Sequence, residues 1–147
     1  MYPRQHWLLM VGCWAAIGTA ALHLFGQLFG GAPPVTDSER QLDVLSNTVL
    51  FALPGGTFRS TSELMIGFSL AFSGLLAGLG AVGLVVARRG AAVDALLFGV
   101  ARTLAIVWLA MTVLSLKYFF IIPTMCLALS TICFALASVR PPAPPRD

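Results

Sequence analysis

His23 and Gln27 stand four residues apart in an otherwise apolar run, Ala20-Ala21-Leu22-His23-Leu24-Phe25-Gly26-Gln27-Leu28-Phe29. At that spacing the two side chains share one helical face. An imidazole is a common proton carrier in acid–base chemistry, and a nearby carboxylate is its usual partner. Glu63 is the carboxylate that topology brings to the same level, so His23 and Glu63 are the candidate catalytic pair. Gln27, Arg59, Lys117 and Tyr118 are candidate ligand-binding groups around the same mouth. Each has a plainer reading. His23 can bond to a neighbouring helix, Glu63 can cap the helix it starts, and Lys117 and Tyr118 are ordinary anchors at a membrane interface. A polar pair inside a membrane-length helix is expensive unless it faces protein or trapped water, which is why this stretch draws attention first.

Arg102 is a separate candidate. It stands alone in the third hydrophobic segment, about 12 Å inward from Asp94 at ~1.5 Å per residue. From there it can snorkel to the headgroups. Alternatively it binds the phosphate of an inner-leaflet lipid. Cys13, Cys126 and Cys133 all fall inside hydrophobic segments with no C-x-x-C spacing, and read as small apolar residues at helix contacts. The methionines and cysteines are scattered without a repeated ligand spacing, so no metal and no cofactor is expected. Gly78-x-Gly80-x-x-Gly83 lies within an apolar span and not between a strand and a helix, so it is no dinucleotide fingerprint.

The elements that must position these groups are membrane helices. The 147 residues are 58% hydrophobic and 10% charged, against about 25% charge in a soluble domain. Four apolar segments, at about 7–29, 64–87, 95–116 and 119–139, each approach the ~20 residues a helix needs to cross the bilayer. The expectation is an all-α integral membrane four-helix bundle, a single transmembrane domain over 1–147. Its outer loop is 30–63 and a disordered Pro-rich tail occupies 140–147. Segment one is longer than a signal-peptide core and is followed by Pro33-Pro34, so it reads as a retained span.

Within the outer loop, Thr36-x-x-Glu39 matches a capping box, and Leu42, Leu45 and Val49 recur at helical spacing. This predicts an amphipathic helix over about Ser38 to Leu53, on the membrane surface or over the bundle. Pro54-Gly55-Gly56 predicts a turn after it. Ser60 and Glu63 form a second capping box that opens helix two. Along that helix Gly67, Ala71, Gly74 and Gly78 form a small-residue stripe, expected to pack within the bundle or at a dimer interface. Arg88-Arg89-Gly90 closes it. Asp94 is the expected cap of helix three, and Pro123 sits early in helix four.

With four spans, Arg4, Arg88, Arg89, Arg140 and Arg146 share one side, against Arg40, Arg59 and Lys117 on the other. The positive-inside rule then puts both termini in the cytoplasm. The net charge of +3 sits at segment ends, a pattern suited to lipid and not to nucleic acid. The segments Ala21-Leu22-His23 and Glu63-Leu64-Met65-Ile66-Gly67-Phe68-Ser69-Leu70 resemble those of small uncharacterised bacterial inner-membrane proteins with four helices. That resemblance implies the architecture over about the whole chain and carries no activity.

The functional expectation is a multi-pass protein of the bacterial inner membrane. It binds a lipid or an apolar small molecule, or serves as an accessory membrane subunit. Its expected partners are membrane lipid and such a molecule, with homo-oligomerisation or a larger membrane complex left open. The alternative is a membrane-embedded acid–base enzyme, of isomerase or cyclase type, acting on an isoprenoid-like or lipid substrate. A small transporter comes third, because no acidic residue lies inside a span.

Overall fold

The computed structural model describes residues 3–31, 33–89, 94–118 and 121–139. The expected Gly90 cap, the Pro-rich tail and the start of segment four at 119–120 lie outside them. Five helices and one hairpin follow in order: α1 (Pro3–Phe29), α2 (Asp37–Thr48), β1 (Leu50–Leu53), β2 (Thr57–Ser60), α3 (Thr61–Arg89), α4 (Asp94–Tyr118) and α5 (Ile121–Ala137). The chain is mostly helical, and α1, α3 and α4 are long and apolar enough to cross a membrane. α5 is apolar and shorter, 17 residues, or about 25 Å.

α1 lies between α3 and α5, α5 pairs with α4, and α3 and α4 barely touch. All three packed pairs run antiparallel. His6 meets Ala87 near one end of α1 and His23 meets Phe72 near the other, which fixes α3 against α1. Ser115 pairs with Thr124 and Thr112 with Thr131, which fixes α4 against α5.

Buried apolar residues recur at helical spacing: Leu9, Cys13, Ala16 and Ala20 on α1, and Leu97, Ala101, Leu104 and Trp108 on α4. With Leu84 and Ala87 of α3 and Phe134 and Ala137 of α5 they make one core. Trp108 and Phe134 meet edge-to-face with ring centroids 5.4 Å apart at its centre. The remaining helix faces are apolar and exposed, as at Phe68, Leu75 and Val82 of α3 and Ile106, Val113 and Leu116 of α4. Hydroxyls on these helices turn back to the carbonyl one turn earlier, as Thr19 to Ala15, Ser73 to Ser69 and Thr103 to Gly99. That satisfies them inside the helix without water.

Small residues decide how close the helices come, but the Gly67, Ala71, Gly74 and Gly78 stripe is not the one packed. A Cβ at Gly67, Gly74 or Gly78 meets nothing within 4 Å, and Ala71 is exposed. The contact is made by Gly80 and Gly83. A Cβ at Gly80 would lie 2.9 Å from the Cys13 carbonyl oxygen, and one at Gly83 would strike Cys13 Sγ. The reason is angular: Gly78 and Gly80 are two residues apart and point to nearly opposite sides of the helix. The buried face follows Ser73, Leu76, Gly80 and Leu84.

The outer loop corrects a second expectation. The capping box is formed: Thr36 Oγ1 accepts from the Glu39 N–H at 3.2 Å and the Glu39 carboxylate accepts from the Thr36 N–H at 2.9 Å. The helix, however, ends at Thr48, not Leu53. Residues 50–60 form a hairpin with Leu50 opposite Ser60 and Leu53 opposite Thr57. Its turn is Pro54-Gly55-Gly56, with φ of +85° and +76° at the two glycines, a conformation open to glycine at little cost. A Gly-containing three-residue loop between apolar runs favours a hairpin over a longer helix. No residue of α2 is buried; Leu42 and Leu45 stay exposed, and among the described residues α2 packs mainly against α3 and β2.

Candidate functional site

The hairpin end of the bundle holds a cavity of about 420 Å³. It lies between α1, α3, α4 and α5. Nearer the other end a Cβ at Gly83 would touch Leu104 at 3.4 Å, so α3 and α4 are close at that level. Phe72 of α3 and Ser115 of α4 are both on the cavity wall. α1 contributes Thr19, Leu22, His23, Gly26 and Gln27, with Gly30 just beyond its end. α5 contributes Ile122, Pro123, Cys126 and Leu127. Pro123, the third residue of α5, sits in the first turn, where no intrahelical N–H bond is lost.

The polar groups of this cavity differ in what they already bind. Ser115, on the wall, shares a hydrogen bond of 2.7 Å with Thr124 buried behind it, and Thr19 donates to Ala15 O at 2.8 Å. His23 is half-buried, its ring edge-on to Phe72 with centroids 5.4 Å apart. Gln27 lies one turn further toward the opening and is exposed. Six residues separate His23 from the end of α1, or about 9 Å.

The structure thus brings His23 and Gln27 to one cavity and leaves the other predicted residues elsewhere. Glu63 does not line it. Its carboxylate accepts from the Ser60 N–H at 2.9 Å while Ser60 Oγ accepts from the Glu63 N–H at 3.2 Å, the reciprocal cap of α3. Arg59, on β2, donates to the Phe58 carbonyl at 2.9 Å. Lys117 Nζ lies 5.1 Å from the ring centroid of Tyr118 at the end of α4, and both are exposed. Arg102 is exposed on α4, away from the cavity. The α2 helix supplies no lining residue, so it does not roof the cavity. What the cavity offers chemically is an imidazole, an amide and the Cys126 thiol on a largely apolar wall, with no charged side chain among the described residues that line it.

Sequence reasoning missed Phe72, Cys126 and the Ser115–Thr124 pair. The last left a signal, a hydroxyl near the facing ends of two consecutive apolar segments. It also missed His6, whose Nε2 donates to the Ala87 carbonyl at 3.0 Å and so serves one of the last carbonyls of α3. Away from the long apolar helices, Glu39 is held below the usual carboxylate range by the Thr36 N–H first and the Val35 N–H second. No group of three metal-ligating side chains forms among the described residues. Compared with family models, curated proteins and solved structures, the chain matches none.

Proposed function

We propose that this chain is a multi-pass protein of the bacterial inner membrane that holds a lipid or apolar small molecule in the cavity between α1, α3, α4 and α5. α5 supplies the fourth span: its 17 residues meet the lower end of the ~17–25 a spanning helix uses. Both termini lie in the cytoplasm, with Arg4 and Arg88 on that side and the hairpin and α2 outside. The observation that carries the reading is the cavity itself. Its volume of about 420 Å³ falls in the ~300–1,000 Å³ range of small-molecule sites. Its wall is largely apolar, and it opens beside helix faces that are themselves apolar. An extended apolar surface of this kind belongs in lipid.

The acid–base enzyme reading is the less supported, since its carboxylate, Glu63, serves the α3 cap. The test is to fill the cavity. A Cβ at Gly26 meets no atom within 4 Å, so Gly26→Phe has room to adopt a side chain without displacing the core. Wild type purified from membranes should carry co-purifying lipid by native mass spectrometry, and Gly26→Phe should lose it at unchanged melting temperature. Equal lipid retention by the variant would overturn the proposal.

A further inference from the structure

The cavity that we read as a lipid site has an uneven distribution of unsatisfied polarity. The Thr19 hydroxyl is spent on Ala15, and Ser115 and Thr124 bond each other. Among the described residues no hydrogen bond engages the His23 ring or the Gln27 amide. These two groups lie one turn apart on α1, and Gln27 is exposed. Leu22, Phe72, Ile122 and Leu127 make the rest of the wall apolar. Among the described residues no lysine, arginine, aspartate or glutamate lines it.

Rested on that reading, we infer that the ligand is a single-chain lipid with an uncharged oxygen headgroup, a hydroxyl or a carbonyl, seated against His23 and Gln27. A phosphate or carboxylate head would shed its water here and find no counter-charge, which is the expensive case for burial. A hydroxyl or carbonyl needs only one or two hydrogen bonds. A neutral imidazole supplies one donor and one acceptor, and a carboxamide two donors and an acceptor. The chain then runs along the apolar wall. At about 420 Å³ the volume lies low in the range of small-molecule sites, which suits one chain and not a two-chain lipid.

The experiment offers purified full-length protein equal amounts of hexadecane, hexadecanol, methyl palmitate, palmitate and hexadecyl phosphate, and reads retention by native mass spectrometry. Hexadecanol and methyl palmitate should be retained above both anions, and their ratio tells whether the head donates or only accepts. Gln27 is exposed, so Gln27→Leu leaves the fold intact. It and His23→Leu should each lower hexadecanol retention roughly fivefold, the equivalent of about 1 kcal/mol for one hydrogen bond, with hexadecane unchanged. Anions retained as well as the alcohol would overturn the uncharged head. Hexadecanol retention untouched by both substitutions would overturn its seat. Failure of wild type to retain any probe, hexadecane included, would overturn the lipid-site reading beneath it.

Discussion

The two ends of the packing among α1, α3, α4 and α5 are built in opposite ways. In the half around Trp108, α1 is pressed onto α3 at Gly80 and Gly83 and onto α5 at Gly12, where a Cβ would lie 2.7 Å from the Phe134 ring. Cys13, Ala101, Trp108 and Phe134 are wholly buried there. In the half around His23, α1, α3, α4 and α5 line a cavity instead. The difference comes from where the side chains are small. Glycine on facing helix surfaces lets backbones close up. At the other end Phe72 stands on α3 beside His23, and a Cβ at Gly26 would meet nothing within 4 Å. A protein of this size can thus hold a closely packed half and an open half along one set of helices.

The largest predicted effect breaks the packed half and spares the open face. Gly83→Leu, whose side chain must displace Cys13 Sγ, should destabilise the fold by about 1–3 kcal/mol or more. Gly74→Leu, placed in open space, should be neutral or stabilising by up to ~1 kcal/mol through helix propensity. Thermal unfolding of the two variants in one detergent compares them. Equal losses would mean that the Gly67 to Gly78 stripe is packed after all, against a second copy of the chain.

The smallest effect concerns the outer loop, which belongs to neither half. Glu39 is held below its ordinary value by the Thr36 and Val35 N–H groups. Its contribution to α2 is therefore present above the unfolded carboxylate value and is lost as pH falls through the lowered folded value. The Thr36 and Val35 amide resonances should titrate below the usual glutamate range. Glu39→Gln should abolish that titration while keeping the cap, since glutamine also serves in a capping box. A Thr36 resonance that titrates in the variant would assign the effect to another group.

Local chemistry was legible in the sequence and tertiary placement was not. Both capping boxes were read from their spacing, because Thr36–Glu39 and Ser60–Glu63 need only contacts three residues apart. The face shared by His23 and Gln27 was readable for the same reason. The hairpin was lost because Val49, Leu50 and Leu53 extend the helical spacing of α2, while the competing signal sits in Gly55 and Gly56. The choice between the Gly67 to Gly78 stripe and Gly80–Gly83 depends on which face Cys13 of α1 meets, and no local pattern carries that. Glu63 was assigned to the His23 site on leaflet level alone. Two groups at one depth still stand on different sides of a bundle, and the cap had first claim on that carboxylate.

The native cysteines test the contrast between the halves most directly. Cys126 lines the cavity and is half-buried, whereas Cys13 is 0% and Cys133 6% exposed. Purified protein treated with a small uncharged thiol reagent, then digested and mapped by mass spectrometry, should carry the modification at Cys126 while Cys13 and Cys133 remain free thiols. Gly26→Phe should suppress the reaction at Cys126 and leave the other two unchanged. Modification of Cys13 as fast as Cys126, or a Cys126 rate indifferent to Gly26→Phe, would contradict an open cavity at the His23 end set against a closed core around Trp108.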